Sequence, residues 1–69
     1  SRRSIREKVM SYLSDESAAG SGNEIIIPYN RQELADYLAV DRSALSAELG
    51  RMRDDGLIEF ERNRFTICR

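Results

Sequence analysis

The residues best suited to chemistry lie on the outer face of one predicted helix, which runs from Arg42 to about Asp54. Apolar residues spaced i, i+4 and i+7 fix its inward face, and they are Leu45, Leu49 and Met52. The opposite face carries one arginine and a set of small residues: Arg42, Ser43, Ser46, Ala47 and Gly50. Arginine pairs bidentately with guanine, serine bonds to several base edges, and small side chains let a helix approach the floor of the DNA major groove. We therefore predict base contacts from Arg42, Ser43, Ser46 and Ala47; the competing interpretation is a solvated helix face.

Two further polar groups could bind the phosphates of a DNA backbone. Asn30 is a suitable N-cap for a short helix that ends near Leu38, and free N–H groups at a helix N-terminus bind phosphate. Arg31 and Gln32 add donors at the same place. The second group comprises Arg62, Asn63 and Arg64 at a predicted turn, where guanidinium groups can reach phosphates beside the groove. The competing interpretations are an ordinary helix cap and a solvated turn, in which Asn63 tolerates a positive φ.

Capping signals and apolar spacing predict the elements that position these groups. Ser4 and Glu7 form a capping box for a first helix, which we expect to end by Ala19. Residues 17–23 contain two glycines and predict a loop, and residues 24–27, before Pro28, predict an edge strand.

The second half of the chain predicts a helix-turn-helix followed by a β-hairpin. Asp41 caps the helix that starts at Arg42, and Gly56 ends it. Residues 57–60 and 64–68 are strand-like runs that form the hairpin. The order helix-strand-helix-helix-strand-strand predicts an α+β fold: a winged helix-turn-helix, three helices with a small antiparallel sheet. Residues 30–55 would form the helix-turn-helix and residues 57–68 the wing.

Composition limits the classes of function. The 69 residues allow one domain, and they include no histidine and one cysteine, Cys68. Most metal sites and nucleophile–base pairs are thereby removed, so we expect no enzymatic activity, no metal and no cofactor in this domain. A lone cysteine favours a reducing, cytoplasmic location, and no apolar run approaches the ~18 residues that cross a bilayer. We expect Cys68 in or near the core. We expect Tyr12, Tyr29 and Tyr37 to be core or hydrophobic-staple residues rather than stacking platforms.

The charge balance leaves a second function open. Eleven basic and 12 acidic residues give a net charge of −1, whereas nucleic-acid-binding domains are often basic. This balance favours the alternative function, a winged-helix protein–protein interaction module without DNA binding. The acidic residues fall largely away from the predicted DNA contacts, and Glu48 and Glu61 are the exceptions.

Three motifs stand out in the chain: RQELADYL from Arg31, VDRSALS from Val40, and DGLIEF from Asp55. With them, about residues 24–68 resemble the C-terminal domain of Crp/Fnr-family transcription regulators. The resemblance implies sequence-specific binding of double-stranded DNA by the output domain of a bacterial transcription regulator. It also implies a homodimer on a palindromic site, with an effector-binding domain and a dimerisation helix that precede this fragment. In activators of the family, the loop matching residues 17–23 contacts RNA polymerase.

The resemblance also implies roles for single residues, and the sequence departs from two of them. Family members read bases through an arginine that matches Arg42, an acidic or small residue that matches Ser43, and often a second arginine that matches Ala47. Phosphate contacts match Asn30, Gln32 and residues 62–64. Because Ser43 is not acidic and Ala47 is not arginine, the DNA preference should differ from that of the best-known members.

Overall fold

Capping side chains start each of the three helices. The computed structural model describes residues 3–68, apart from the Ser21 side chain. Helix α1 spans Ile5–Glu16, and its capping box joins the Ser4 and Glu7 backbone amides to the opposite side chains at 2.8 and 3.1 Å. Helix α2 spans Arg31–Leu38 with the same box between Asn30 and Glu33, both bonds being 2.8 Å long. Helix α3 spans Arg42–Asp54, and the Asp41 carboxylate accepts a bond from the Ala44 amide at 2.9 Å.

The segment after α1 differs in part from the predicted loop. Residues Ser17–Ser21 continue as a π-helical turn, because the small residues that begin the segment keep helical dihedrals. The helical path breaks at Gly20, whose φ of 115° favours glycine, and Gly22 follows with a φ of 67°. The glycines therefore end the helix later than the composition of the segment indicates.

The sheet is antiparallel and has three strands in the order β1-β3-β2. Strand β1 spans Glu24–Ile26, β2 spans Ile58–Glu61 and β3 spans Arg64–Ile67. Ile25 pairs with Phe65 on one side of β3, and Phe60 pairs with Phe65 on the other. The predicted edge position of β1 and the predicted hairpin are confirmed, and with the three helices they give the predicted winged helix-turn-helix fold.

One apolar core joins all three helices to the sheet. Its least exposed members are Leu13, Ala35, Leu45, Met52, Ile58 and Phe65, each with 0% of its surface exposed. The inward stripe predicted for α3 is confirmed, since Leu49 is only 1% exposed. Among residues 3–68, no polar or charged residue is buried. Packing of apolar side chains therefore fixes where α3 lies.

Two predictions about the core were wrong. Cys68 is exposed, because it follows buried Ile67 and successive residues of an extended chain point to opposite faces. Tyr37 is 61% exposed, and Ala35 takes the inward position on α2 beside Leu34 and Leu38. Tyr37 instead stacks on Tyr29, with ring centroids 5.3 Å apart, and meets Tyr12 edge-on at 5.5 Å.

Candidate nucleic-acid interface

The outer face of α3 is exposed at the four residues predicted to contact bases, and Gly50 on the same face is partly buried. Arg42, Ser43, Ser46 and Ala47 are all exposed, while Leu45 and Leu49 on the opposite face are buried. Arg42 is the first residue of the helix, directly after the Asp41 cap. The N-terminal half of α3 therefore presents one cation and three small side chains to solvent. This combination suits a helix whose N-terminal residues contact base edges in a major groove.

The start of α2 holds two of the predicted phosphate ligands in exposed positions. Asn30 is exposed, and its Oδ1 accepts a bond from the Glu33 amide at 2.8 Å, which leaves the amide NH₂ as its donor group. Gln32 is exposed as well, and its Nε2 donates to the Asp36 Oδ1 at 2.9 Å. Both side chains keep N–H groups that could donate to a phosphate.

Arg31 differs from its neighbours because its guanidinium lies against the hairpin. Its Cζ is 5.0 Å from the centroid of the Phe65 ring and 5.5 Å from that of Phe60, and its Nη2 donates to the Arg62 carbonyl at 2.8 Å. Partial burial lowers the pKa of Arg31 from its ordinary value. This bond directly joins the two predicted phosphate-binding groups.

The hairpin tip is a two-residue turn of Arg62 and Asn63 between the paired residues Glu61 and Arg64. All four side chains are exposed. The positive φ in the turn belongs to Arg62, at 55°, so the expectation that Asn63 supplies it was wrong. Arg64 Nε lies 3.9 Å from a carboxylate oxygen of exposed Glu24, a distance at which a surface pair is weak. The tip therefore presents Arg62, Asn63 and Arg64 beside the carboxylate of Glu61.

Glu48, an apparent obstacle on α3, is neutralised by two arginines. Its Oε2 accepts from Arg6 Nε of α1 at 2.6 Å, and its Oε1 accepts from Arg51 Nε at 2.8 Å. Hydrogen bonding to Arg6, and then to Arg51, holds the pKa of Glu48 below its ordinary value. Arg6 also reaches Asp55 at 2.9 Å, so it bridges the middle and the end of α3.

Three side-chain contacts between elements of the fold were missed by the sequence reasoning. Arg6 binds α3, Lys8 Nζ donates to the Leu38 carbonyl at the end of α2 at 3.1 Å, and Arg53 Cζ lies 4.6 Å from the Phe60 centroid. Each partner is at least seven residues away in the chain. Helical periodicity shows which face a residue occupies but gives no signal for these partners.

The described residues offer little for other kinds of site. Within residues 3–68, no group of three or more acidic or cysteine side chains is placed to hold a metal ion. None of the helices in the same part of the chain is both long enough and apolar enough to cross a membrane.

Comparisons with known proteins identify a family. The model of the Crp-like helix-turn-helix domain matches residues 7–69. The structure is similar to that of FixK2 from Bradyrhizobium japonicum, with a TM-score of 0.81 and 19% sequence identity over 96% of this chain. The alignment covers 34% of the FixK2 chain, so this chain spans about a third of that length. No curated protein sequence matches it.

The family match covers the helix-turn-helix, the hairpin and most of α1, which together build the exposed surface described above. The likeness to FixK2 confirms the fold independently of sequence identity. The chain belongs to the family of Crp-like helix-turn-helix domains, the DNA-binding domains of transcription regulators.

Proposed function

We propose that α3 enters the major groove of duplex DNA and that the hairpin at residues 57–68 lies on the DNA backbone. The observation that carries this proposal is the outer face of α3, where Arg42 stands before three exposed small residues and opposite a fully buried apolar stripe. Arg42 would read a guanine, and Ser43 and Ser46 would bond to base edges. Ala47 would contact a thymine methyl group.

Phosphate contacts would hold the domain in register on the duplex. We assign this role to Asn30 and Gln32 at the start of α2 and to Arg62, Asn63 and Arg64 at the hairpin tip, all of which are exposed. Arg31 belongs to the same sequence-predicted set, but its guanidinium lies on the phenylalanine rings of the hairpin. So few phosphate contacts, together with exposed Glu61, should make non-specific affinity weak.

Replacement of Arg42 tests the base-reading role. A preferred duplex is first selected from a randomised DNA library with the unsubstituted protein. We expect Arg42→Ala to weaken binding to that duplex by about 1–3 kcal/mol and to relax preference at one base pair per half-site, because one bidentate contact is lost. Fluorescence anisotropy titration and a repeated selection measure the two effects.

Arg53→Ala is the matched control for that experiment. Arg53 is exposed and lies in the last turn of the same helix, outside the proposed surface. We expect its replacement to leave base preference unchanged. The assignment of α3 as the recognition helix fails if Arg42→Ala retains both the affinity and the preference of the unsubstituted protein.

The partners of the whole protein are proposals that rest on the family resemblance. We propose a cytoplasmic homodimer on a palindromic site, with effector binding in a domain that lies outside residues 1–69. We also propose that the segment at residues 17–23, which contains the π-helical turn, contacts RNA polymerase. Replacement of this segment should then abolish activation in an in vitro transcription assay while DNA affinity stays the same; an unchanged transcript level would exclude the contact.

A further inference from the structure

We propose that Arg31 is a positioning residue that fixes the conformation of the hairpin tip, rather than a direct ligand of phosphate. The inference rests on the proposed function, because the tip carries the assigned phosphate contacts. It deepens that function by separating the residues that contact DNA from the residue that orients them.

Two kinds of contact hold the Arg31 guanidinium against the hairpin. The group lies over the stacked rings of Phe60 and Phe65, whose centroids are 5.2 Å apart, and both rings are within cation–π distance of its Cζ. Its Nη2 donates to the Arg62 carbonyl at 2.8 Å. Residue 31 is also less exposed than Asn30 and Gln32 on either side of it. A planar guanidinium can stack on rings and donate in its own plane at the same time, whereas a lysine ammonium has no planar face to stack.

The hydrogen bond from Arg31 is accepted by the turn residue that has a left-handed backbone. Arg62 has a φ of 55°, a left-handed conformation that costs a non-glycine residue free energy. The other turn carbonyl, that of Asn63, accepts a bond from the Ile27 amide at 2.8 Å. Both carbonyl groups of the two-residue turn are therefore held from outside the hairpin, one by α2 and one by the residue that follows β1.

This arrangement couples the two predicted phosphate-binding regions. Arg62, Asn63 and Arg64 can meet consecutive phosphates only if the turn keeps one conformation relative to α2. Arg31 provides that link, because its backbone begins α2 and its side chain holds the turn. Loss of the link should disorder the tip and weaken phosphate binding without removing any group that touches DNA.

The free protein gives the first test. In Arg31→Gln, we expect the Ile27 amide to exchange its hydrogen at least about tenfold faster than in the unsubstituted protein, since opening of the turn breaks its bond to Asn63. Arg53→Gln is the matched control, because Arg53 also covers the Phe60 ring, at 4.6 Å, but lies in α3, away from the turn. Equal Ile27 exchange in Arg31→Gln and the unsubstituted protein would overturn the proposal.

A charge-preserving variant gives the second test, with the duplex selected from the randomised library as the probe. Arg31→Lys keeps the positive charge but not the planar fork, so it remains informative even if Arg31→Gln fails to fold. We expect it to weaken DNA binding about tenfold, comparable to the loss of one phosphate contact or slightly more. Lysine also binds phosphate, as a point charge, so binding within twofold of the unsubstituted protein would overturn the proposal.

A double-mutant cycle separates positioning from direct contact. When Arg62, Asn63 and Arg64 are all replaced by alanine, the tip has no phosphate ligand left to orient. The further change Arg31→Lys should then alter DNA affinity less than about twofold, because effects that act through the same residues are not additive. The same tenfold loss in this background would show that Arg31 acts on DNA by itself and would contradict the proposal.

Ile27 exchange and the binding of Arg31→Lys also distinguish this proposal from the proposed function. If the unsubstituted protein selected no duplex, DNA binding itself would be wrong, and Ile27 exchange would still measure the role of Arg31 in the turn. If Arg42→Ala lost its base preference while Arg31→Lys bound normally, DNA binding would stand and the positioning role would be wrong.

Discussion

Ala39 and Gly56 both have left-handed backbone conformations just after the ends of two helices. At the end of α2 the Val40 amide donates to the Ala35 carbonyl at 2.9 Å, and the Ala39 amide donates to that of Asp36 at 3.1 Å. Leu57 and Gly56 repeat this pattern at the end of α3, with both bonds 3.0 Å long. This is the Schellman motif, which requires a left-handed residue. Gly56 supplies it at a φ of 78°, and Ala39 at 59°.

The sequence signals the left-handed residue after α3 but not the one after α2. A glycine after the last apolar residue is a recognised stop signal, so the end of α3 was predicted at Gly56. Ala39 has high helix propensity and carries no such signal. Its conformation is imposed by the packing of α2 and α3 on one core, which includes buried Leu38 and Leu45 on either side of the turn. Tertiary packing here overrides local preference.

Ala39→Gly should therefore stabilise the domain. A left-handed conformation costs alanine roughly 1–2 kcal/mol, and the added freedom of glycine in the unfolded chain offsets about 0.4–1 kcal/mol of the gain. We expect the free energy of unfolding to rise by up to about 1 kcal/mol, measured by urea denaturation.

Ala47→Gly is the opposite control, because Ala47 is exposed inside α3, where glycine costs about 0.5–1 kcal/mol. The two identical substitutions should thus have opposite signs. If both destabilise the domain equally, the left-handed conformation of Ala39 carries no cost.

At the scale of elements, Arg6 fixes α1 against α3. The Arg6 guanidinium binds two carboxylates, Glu48 at 2.6 Å and Asp55 at 2.9 Å. Arg51 binds the second carboxylate oxygen of Glu48. The two carboxylates lie at the middle and the C-terminal end of α3, so one side chain resists both sliding and tilting of this helix on α1. The apolar core sets the position of the proposed base-reading residues, and Arg6, which is not among the proposed DNA contacts, adds to it from the surface.

The pH dependence of stability should report this link. Hydrogen bonds from Arg6 and Arg51 lower the pKa of Glu48 in the folded state. At pH values below the ordinary glutamate pKa of about 4.3 the unfolded chain binds a proton that the folded chain still excludes, so stability falls with pH. The contribution is complete above that value and is lost as pH falls through the lower, folded-state pKa.

Glu48→Gln should remove this part of the acid sensitivity. We expect urea denaturation between pH 3 and pH 7 to show a shallower loss of stability for this variant on the acid side. Glu59→Gln, at an exposed position of β2, is the control and should keep the slope of the unsubstituted protein. Identical acid slopes for Glu48→Gln and the unsubstituted protein would show that the Arg6–Glu48 bond does not stabilise the fold.

The elements and their order were predictable, but the links between them were not. Caps, apolar spacing and turn residues act over a few positions, and they placed α2 at Arg31–Leu38 and α3 at Arg42–Asp54 correctly. The bonds from Arg6 to Glu48 and from Arg31 to Arg62 join residues 42 and 31 positions apart. Which arginine meets which acceptor depends on the packed arrangement of α1, α2 and the sheet, and local patterns carry no information about it.

The size of the whole molecule sets a limit on how much DNA one copy can read. The domain measures 27 × 26 × 23 Å, whereas successive major grooves on one face of the duplex lie ~34 Å apart. A single copy therefore reaches one groove, and its specificity comes from one short helix. A palindromic site presents its two halves in successive major grooves, so its recognition needs a second copy of the domain.

Joining two copies should therefore raise affinity far more than any change within one copy. We expect a form dimerised through a helix fused ahead of α1 to bind a palindrome with half-sites ~34 Å apart about 10²–10⁴ times more tightly than the single domain, because the second contact becomes intramolecular. Anisotropy titrations on one duplex compare the two forms.

An insertion of half a helical turn between the half-sites places the second groove on the opposite face and should remove most of the gain. If the dimerised form bound both duplexes no better than the single domain does, two-site recognition by this family member would be wrong, while the base-reading role of Arg42 could still be tested on one half-site.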